Sequence, residues 1–430
     1  RGGRMAEIGR ATKIKAPEGA LVIDGHNKYL IPGLTDMHTH LFSDGKFPDS
    51  LASDELYIML ANGVTTIRLM IGTPEHLKMR AQIASGEMLG PTLYVASPQL
   101  AGRTYGDPFN GYVVTTPDEA RAAVKDAKAA GYDFIKLTIF ISRPVYDAAI
   151  EAARAEGIRV VGHVDPQVGV ARALEAGQQI EHLDNYMETL LADDAPSKES
   201  VSDFRIYRPK SWESLDYIDE RKISKVAAAT AKAGVWSCPT LTFFKRAFAI
   251  KQEDEEVRAR PDHRFIPPAL REPMARAQQM YWATPPSEER RRKYVSIRNR
   301  LVKAIHDAGG KIMAGSDTPE AFLLYGYTLH RELKNLVEAG LSPYEALEAA
   351  TRNPAEFLKG LDSFGTVERG KRADLVLLEA NPLDDITNTE RRAGVMVRGR
   401  WLPESELKST LDRIAPRFQS AFDAGKNTGK

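Results

Sequence analysis

Cysteine is almost absent from the 430 residues: Cys238 stands alone. A single thiol can form neither an intrachain disulfide nor a cysteine-based zinc cluster, so any metal ion must be held by histidine, carboxylate or a less ordinary donor. Long apolar runs are missing as well, and without about eighteen consecutive apolar residues no transmembrane helix is expected. Neither sign of charge dominates. Lys and Arg total 59 against 58 Asp and Glu, for a formal net charge of +1, so there is no global field aimed at nucleic acid or an anionic membrane, and a small-molecule substrate fits better. No charged segment with an apolar core opens the chain at Arg1, so no signal peptide is expected within this sequence. The expected location is soluble, either cytoplasmic or exported with a leader removed upstream.

What the chain does have is rhythm. Its length allows one large α/β barrel or two to three smaller domains. Up to Pro32 it is Gly-rich and alternating, as in Ala20-Leu21-Val22-Ile23-Asp24-Gly25, which reads as short strands and turns. After Pro32 a strand-then-helix alternation takes over. Strands are predicted at Leu34 to His40, Thr65 to Met70, Thr92 to Ser97, Phe134 to Phe140, Arg159 to Val164, Gln179 to Leu183, Val235 to Thr240 and Lys311 to Asp317. Helical patterns lie between them, clearest at Pro117 to Ala130, Pro144 to Glu156, Val168 to Ala176, Asp219 to Ala233 and Arg290 to Ala308. Gly131, Gly157, Gly177 and Gly234 stand where helix C-caps are needed. Eight such units predict a (β/α)8 TIM barrel over residues 33–361, with its chemistry at the C-terminal strand ends.

Two further helices are expected at Thr328 to Ala339 and Pro343 to Ala350. Beyond them, Ala373 to Leu378 and Gly394 to Gly399 read again as strands. Residues 1–32 and 362–430 are therefore expected to form one small β domain, a β-sandwich built from both chain ends, followed by a terminal helix and a polar tail. Two long charged stretches, His182 to Val235 and Lys245 to Glu289, break the rhythm. They read either as insertions lidding the barrel mouth or, more plainly, as solvated surface helices.

Within Gly33-Leu34-Thr35-Asp36-Met37-His38-Thr39-His40, two histidines one residue apart project to the same side of a strand, as two ligands of one ion must. Alone, such a pair is equally a surface pair or two satisfied core residues. The other strand ends add Lys136, His163, His182 and Asp317, and burying that many ionisable groups in one place is costly unless a metal or partners compensate. Of the nine histidines, His26, His76, His263 and His306 fall in presumed loops or outer helices, and His330 is a further candidate.

With Pro32 to His40, Asp133-Phe134-Ile135-Lys136-Leu137, Val161-Gly162-His163-Val164, Ile180-Glu181-His182-Leu183-Asp184, Ala314-Gly315-Ser316-Asp317-Thr318 and Gly370-Lys371-Arg372-Ala373-Asp374-Leu375-Val376 in this order, the chain resembles the amidohydrolase superfamily over nearly its whole length. The similarity is to the branch of imidazolonepropionase, Xaa-Pro dipeptidases and ochratoxin-degrading amidases. The resemblance implies a two-metal site, with His38, His40 and Asp317 on one ion and His163 and His182 on the other. It implies that Lys136 is N6-carboxylated and bridges both. Zinc is the default ion for such imidazole and oxygen donors. The implied reaction is hydrolysis of an amide bond by a water activated between the ions, with Asp317 as general base. A homo-oligomer is also expected, and relatives carry one or two strands ahead of the Gly2 to Gly9 segment.

Substrates expected on this reading are N-acyl amino acids or dipeptides. A carboxylate in the substrate needs a cationic or hydrogen-bonding clamp, for which Arg103, Tyr105, Arg143 and His330 are candidates, each otherwise a surface group. The rivals are a lactone, phosphotriester or deaminase-type hydrolase on the same barrel, and a non-catalytic binding subunit. Deaminases of this superfamily usually lack the strand-four lysine, so Lys136 argues against them.

Overall fold

The computed structural model describes residues 1–41, 49–104, 111–196, 212–251, 254–319 and 321–420. Its strands are β1 Tyr29–Pro32, β2 Leu34–Thr39, β3 Val64–Leu69, β4 Thr92–Val95, β5 Gln99–Ala101, β6 Gly111–Val113, β7 Phe134–Leu137, β8 Arg159–Gly162, β9 Gln179–Glu181, β10 Trp236–Cys238, β11 Lys311–Ile312, β12 Leu375–Leu378, β13 Arg392–Val397 and β14 Arg400–Pro403. All eight predicted barrel strands are present, each shorter than expected at its C-terminal end because the chain turns outward there to build loops. Strands β2, β3 and β4 pair in parallel, as do β7 through β11. Single bridges Ala96 to Phe134 and Thr39 to Thr318 join the two runs and close the ring. Strand β5 continues the path of β4 beside β7, with Leu100 opposite Leu137, and carries β6 on its outer edge. Neither β5 nor β6 has an apolar period long enough to be read in advance.

Local chemistry fixes the outer helices. In Pro117–Ala130, Thr116 Oγ1 accepts from Glu119 N at 3.3 Å while Glu119 Oε2 accepts from Thr116 N at 3.0 Å, a reciprocal capping pair followed by Pro at the first position. The same device starts Pro343–Ala349 with Ser342 and Glu345. Barrel strands are covered on both faces, which is why β2, β3 and β7 are buried throughout. Beneath the strands, Phe357, Leu358 and Phe364 pack with Met37, Met70, Phe134, Val161 and Met313 to fill the ring.

The chain ends meet in a separate four-stranded antiparallel sheet of order β1-β12-β13-β14. Tyr29 stands opposite Leu378 and Pro32 opposite Leu375. The expected strand at Ala20 to Gly25 is not formed. Leu21 and Val22 are each 74% exposed, and an apolar pair with no sheet to pack on gains nothing from extending. The charged stretch after Lys245 does more than solvate a surface. Arg246 Nε donates to Ala321 O at 3.0 Å and Arg260 donates to Phe322 O, while Phe265 packs on Phe418 of the terminal helix Glu404–Ser420 at 5.9 Å between ring centroids. It braces the loop after β11 rather than lying loose. Part of the first stretch, 197–211, lies outside the described residues.

Gly162 shows how little room the ring leaves. Its φ is +124°, and a Cβ there would stand 2.1 Å from Leu137 O and 3.0 Å from Lys136 Cδ. Gly162→Ala is expected to cost about 3 kcal/mol of stability, read as a lower midpoint in chemical denaturation; an unchanged midpoint would contradict the close packing of β7 on β8.

Candidate metal centre

His38 lies on β2 and His40 just past it, Lys136 on β7, His163 and His182 one residue beyond β8 and β9, and Asp317 five residues beyond β11. Backbone bonds pull the last of these inward: Ser316 N and Asp317 N both donate to His38 O, at 3.1 and 2.7 Å, and His40 N donates to Thr318 O at 2.7 Å. Asp36 Oδ1 accepts from Ser316 N at 3.0 Å and from His38 N at 3.2 Å, stitching the same two segments. Gly315 is required at this seam, since a Cβ would meet Cys238 Sγ at 2.5 Å and His38 Cβ at 2.8 Å.

The side chains converge. His38 Nε2 and His40 Nε2 lie 3.3 and 3.4 Å from Asp317 Oδ1. Ring centroids are 4.6 Å apart for His38 and His182, and 4.7 Å for His163 and His182. His38, His40 and Asp317 offer ligand atoms within 4.8 Å of one another and could hold a metal ion. Three of the rings are held by further partners: Glu181 Oε2 is 2.8 Å from His38 Nδ1, Asp184 Oδ2 is 2.7 Å from His163 Nδ1, and Thr240 Oγ1 is 2.7 Å from His182 Nδ1, which also lies 3.9 Å from Asp317 Oδ2.

Burial governs the charges. It pushes His163 and His182 well below the ordinary imidazole range, which keeps both neutral, and it drives the Lys136 ammonium down against the pull of Glu181 and Asp317. Burial would raise Asp317, but His38 and His182 and the hydrogen bonds of His38 and His40 outweigh it and hold the carboxyl well below its usual range. Asp184, with less compensation, is pushed up to about 8. Lys136 is 1% exposed, and among the described residues neither its Nζ nor the buried His40 Nδ1 has a hydrogen-bond partner. An orphaned lysine nitrogen buried beside four imidazoles and a carboxylate fits a site for a nitrogen- and oxygen-ligated ion.

The candidate clamp residues scatter. Arg103 follows β5 on the same side of the barrel, exposed, with its guanidinium 3.7 Å above the Phe140 ring. Tyr105 lies outside the described residues. Arg143 begins the outer helix Arg143–Ala155 and pairs with Asp147 at 2.8 Å. His330 is held between the barrel and the small sheet. It is 2% exposed and faces the small sheet, with Nδ1 2.9 Å from Thr389 Oγ1 and Nε2 3.0 Å from Asn62 O. It sits three residues into its helix, where the helix face turned to the other domain decides its surroundings.

The sequence model of the Amidohydrolase family matches residues 29–402, spanning the barrel and most of the small sheet. The chain belongs to this family. Among solved structures this amidohydrolase is similar to a bottromycin amidohydrolase, at 26% identity and a TM-score of 0.73, covering 91% of this chain and 81% of that one. It is also similar to a prolidase candidate from Bifidobacterium longum, at 27% identity and 0.66, covering 96% and 91%. A Xaa-Pro dipeptidase with methionine bound shares the fold at 22% identity and a TM-score of 0.62, covering 94% and 93%. Adenine deaminase 2 of Shouchella clausii (strain KSM-K16) matches at 35% identity over 65 residues, which are 15% of this chain and 11% of that protein.

His330 gives a test of placement. Burial and the neighbouring Arg392 hold its pKa well below the ordinary value, so the folded chain leaves it neutral where the unfolded chain takes up a proton. Stability from this site is therefore lost as pH falls below about 6.5. His330→Gln is expected to flatten the fall in melting temperature between about pH 6.5 and 5 and to leave turnover at pH 8 unchanged; a turnover loss in the folded variant would return His330 to the site.

Proposed function

We propose that this amidohydrolase is a metal-dependent hydrolase of carbon–nitrogen bonds, acting on N-acyl amino acids or dipeptides. The observation that carries the reading is Lys136: a buried amine with no hydrogen-bond partner among the described residues, electrostatically coupled to His38, His40, His163 and Asp317. A charged ammonium there would repel a cation. Burial instead favours the neutral amine, the form that adds to carbon dioxide with loss of one proton to give an anionic carbamate with two oxygen donors. His38, His40 and Asp317 would then hold one ion and His163 and His182 a second, with carboxylated Lys136 between them and zinc the best-suited metal.

When bound, such ions acidify a water molecule and polarise the scissile carbonyl. The chain supplies the rest. Asp317, kept anionic, accepts the proton of the attacking water and delivers it to the leaving amine. Buried, neutral His163 and His182 keep their inward nitrogens free of protons. Arg103, held over Phe140, offers a cation beside the mouth to a substrate carboxylate. The names of the bottromycin amidohydrolase and the prolidase candidate support an amide or peptide substrate. The short deaminase match supports a purine only over its 65 residues.

The test is metal analysis joined to a substrate screen. Metal-replete protein should carry about two equivalents and hydrolyse N-acyl amino acids or dipeptides. Lys136→Ala and Asp317→Asn should each lower turnover by about a thousandfold or more; wild-type rates in either folded variant, or ammonia release from adenine with no amide cleavage, would overturn the reading. Arg103→Ala should raise KM about tenfold for carboxylated substrates while sparing those whose carboxylate is capped as an amide. An equal loss on both would remove Arg103 from recognition.

A further inference from the structure

Below the ligand cluster, inside the barrel, a charged pair is buried that the hydrolytic reading does not use. Arg68 on β3 is 0% exposed. Every arm of its guanidinium is engaged: Nε donates to Met37 O at 2.6 Å, Nη1 to Gln179 Oε1 at 2.7 Å and Nη2 to Glu181 Oε1 at 2.5 Å. Phe134 and Phe357 face it at 5.7 and 5.5 Å. The other oxygen of Glu181, also 0% exposed, is the one 2.8 Å from His38 Nδ1. The result is a continuous chain from the packed floor of the barrel through Arg68 and Glu181 to His38, whose Nε2 points to Asp317.

The three backed histidines are not backed alike. Thr240 offers His182 a neutral hydroxyl. Asp184 meets His163 through Oδ2, but its Oδ1 is buried with no hydrogen-bond partner, and no arginine is bound to it among the described residues. Only Glu181 is locked by an arginine on one oxygen while receiving an imidazole on the other. A carboxylate so held can only accept, so His38 Nδ1 must carry a proton, which leaves Nε2, 3.3 Å from Asp317 Oδ1, as the nitrogen that can face an ion. The pairing has a second effect. His38, Glu181 and Cys238 also offer atoms within 4.8 Å of one another that could hold an ion, and the bond to Arg68 withdraws Glu181 from that competing set.

We infer that Arg68 and Glu181 are positioning residues that select and strengthen the His38–His40–Asp317 ion site and leave the His163–His182 site untouched. This rests on the reading that the cluster binds two ions. Metal-free protein titrated with zinc against a chromophoric chelator tests both in one measurement. Wild-type protein should take up two equivalents; none would overturn the two-ion reading and the inference with it. Glu181→Gln should weaken one equivalent about 10- to 100-fold and leave the other at wild-type affinity. Wild-type affinity for both, or equal loss of both, overturns the positioning role while the two-ion reading stands.

Arg68→Met strands a buried carboxylate and is expected to lower the melting temperature sharply. The double variant Arg68→Met with Glu181→Gln removes both charges. It should recover much of that melting temperature yet keep the single weakened equivalent, an outcome a purely structural pair would not give. Recovery of both fold and affinity would overturn the inference. If the variants do not fold, nitrogen-15 histidine spectra of the metal-free wild type decide: His38 should be protonated at Nδ1, and an unprotonated Nδ1 overturns the assignment.

Discussion

Everything at the open end of this barrel answers to one constraint: ionisable groups taken out of water must find charge or hydrogen bonds in fixed places, because neither reorients freely inside a closed ring. His38, His40, Lys136, His163, Glu181, His182 and Asp317 are contributed by five strands and their extensions. Parallel strands with helices on their outer faces are the one arrangement in this chain that brings such distant residues to a common point. Rigidity comes from the seam between β2 and the β11 extension, where backbone bonds to His38 O and the Asp36 carboxylate replace the ladder that a two-residue strand cannot provide.

The frame and the converging residues could be read from the amino-acid order because each is a local signal. Strands are short apolar runs, helix ends carry Gly or a capping pair, and His38, Lys136, His163, His182 and Asp317 stand where those runs stop. The groups that orient them could not. Arg68 meets Glu181 across 113 positions, and Glu181 meets His38 across 143. Glu181 also hides behind a rule that fails there. Neighbours in a strand face opposite ways, which would send Glu181 and His182 to different sides. The backbone instead enters the left-handed region at His182, with φ 61°, and at Leu183, with φ 55°, so both side chains serve the same interior. Asp317 makes a similar departure at φ 54°. Such conformations cost about 1–3 kcal/mol each and persist only where surroundings over-determine them.

The clamp candidates divide along the same line. Arg103 was visible because it follows a strand end, and Phe140 holds it on that side. Arg143 and His330 both lie in the first turns of helices, where position along the chain says little about the direction a side chain takes. At His330 the decisive contact is with Thr389 of the small domain, 59 positions away. Family relatives with similar barrels differ in what their names say they cleave, and the loops after β5, β10 and β11 are where such differences have room to arise.

The small sheet carries a consequence for how the molecule comes into being. Strand β1 finds its partner only when β12 exists, with Tyr29 opposite Leu378, so during synthesis at ~5–20 residues per second the segment emerges and waits roughly 20 to 70 s for its mate. Through that interval Leu30 and Ile31 form a bare hydrophobic edge, the kind of surface that recruits neighbouring chains. Between the synthesis of β1 and that of β12, this segment is a place where a holding chaperone would act, gripping Leu30 and Ile31 until their sheet partners arrive.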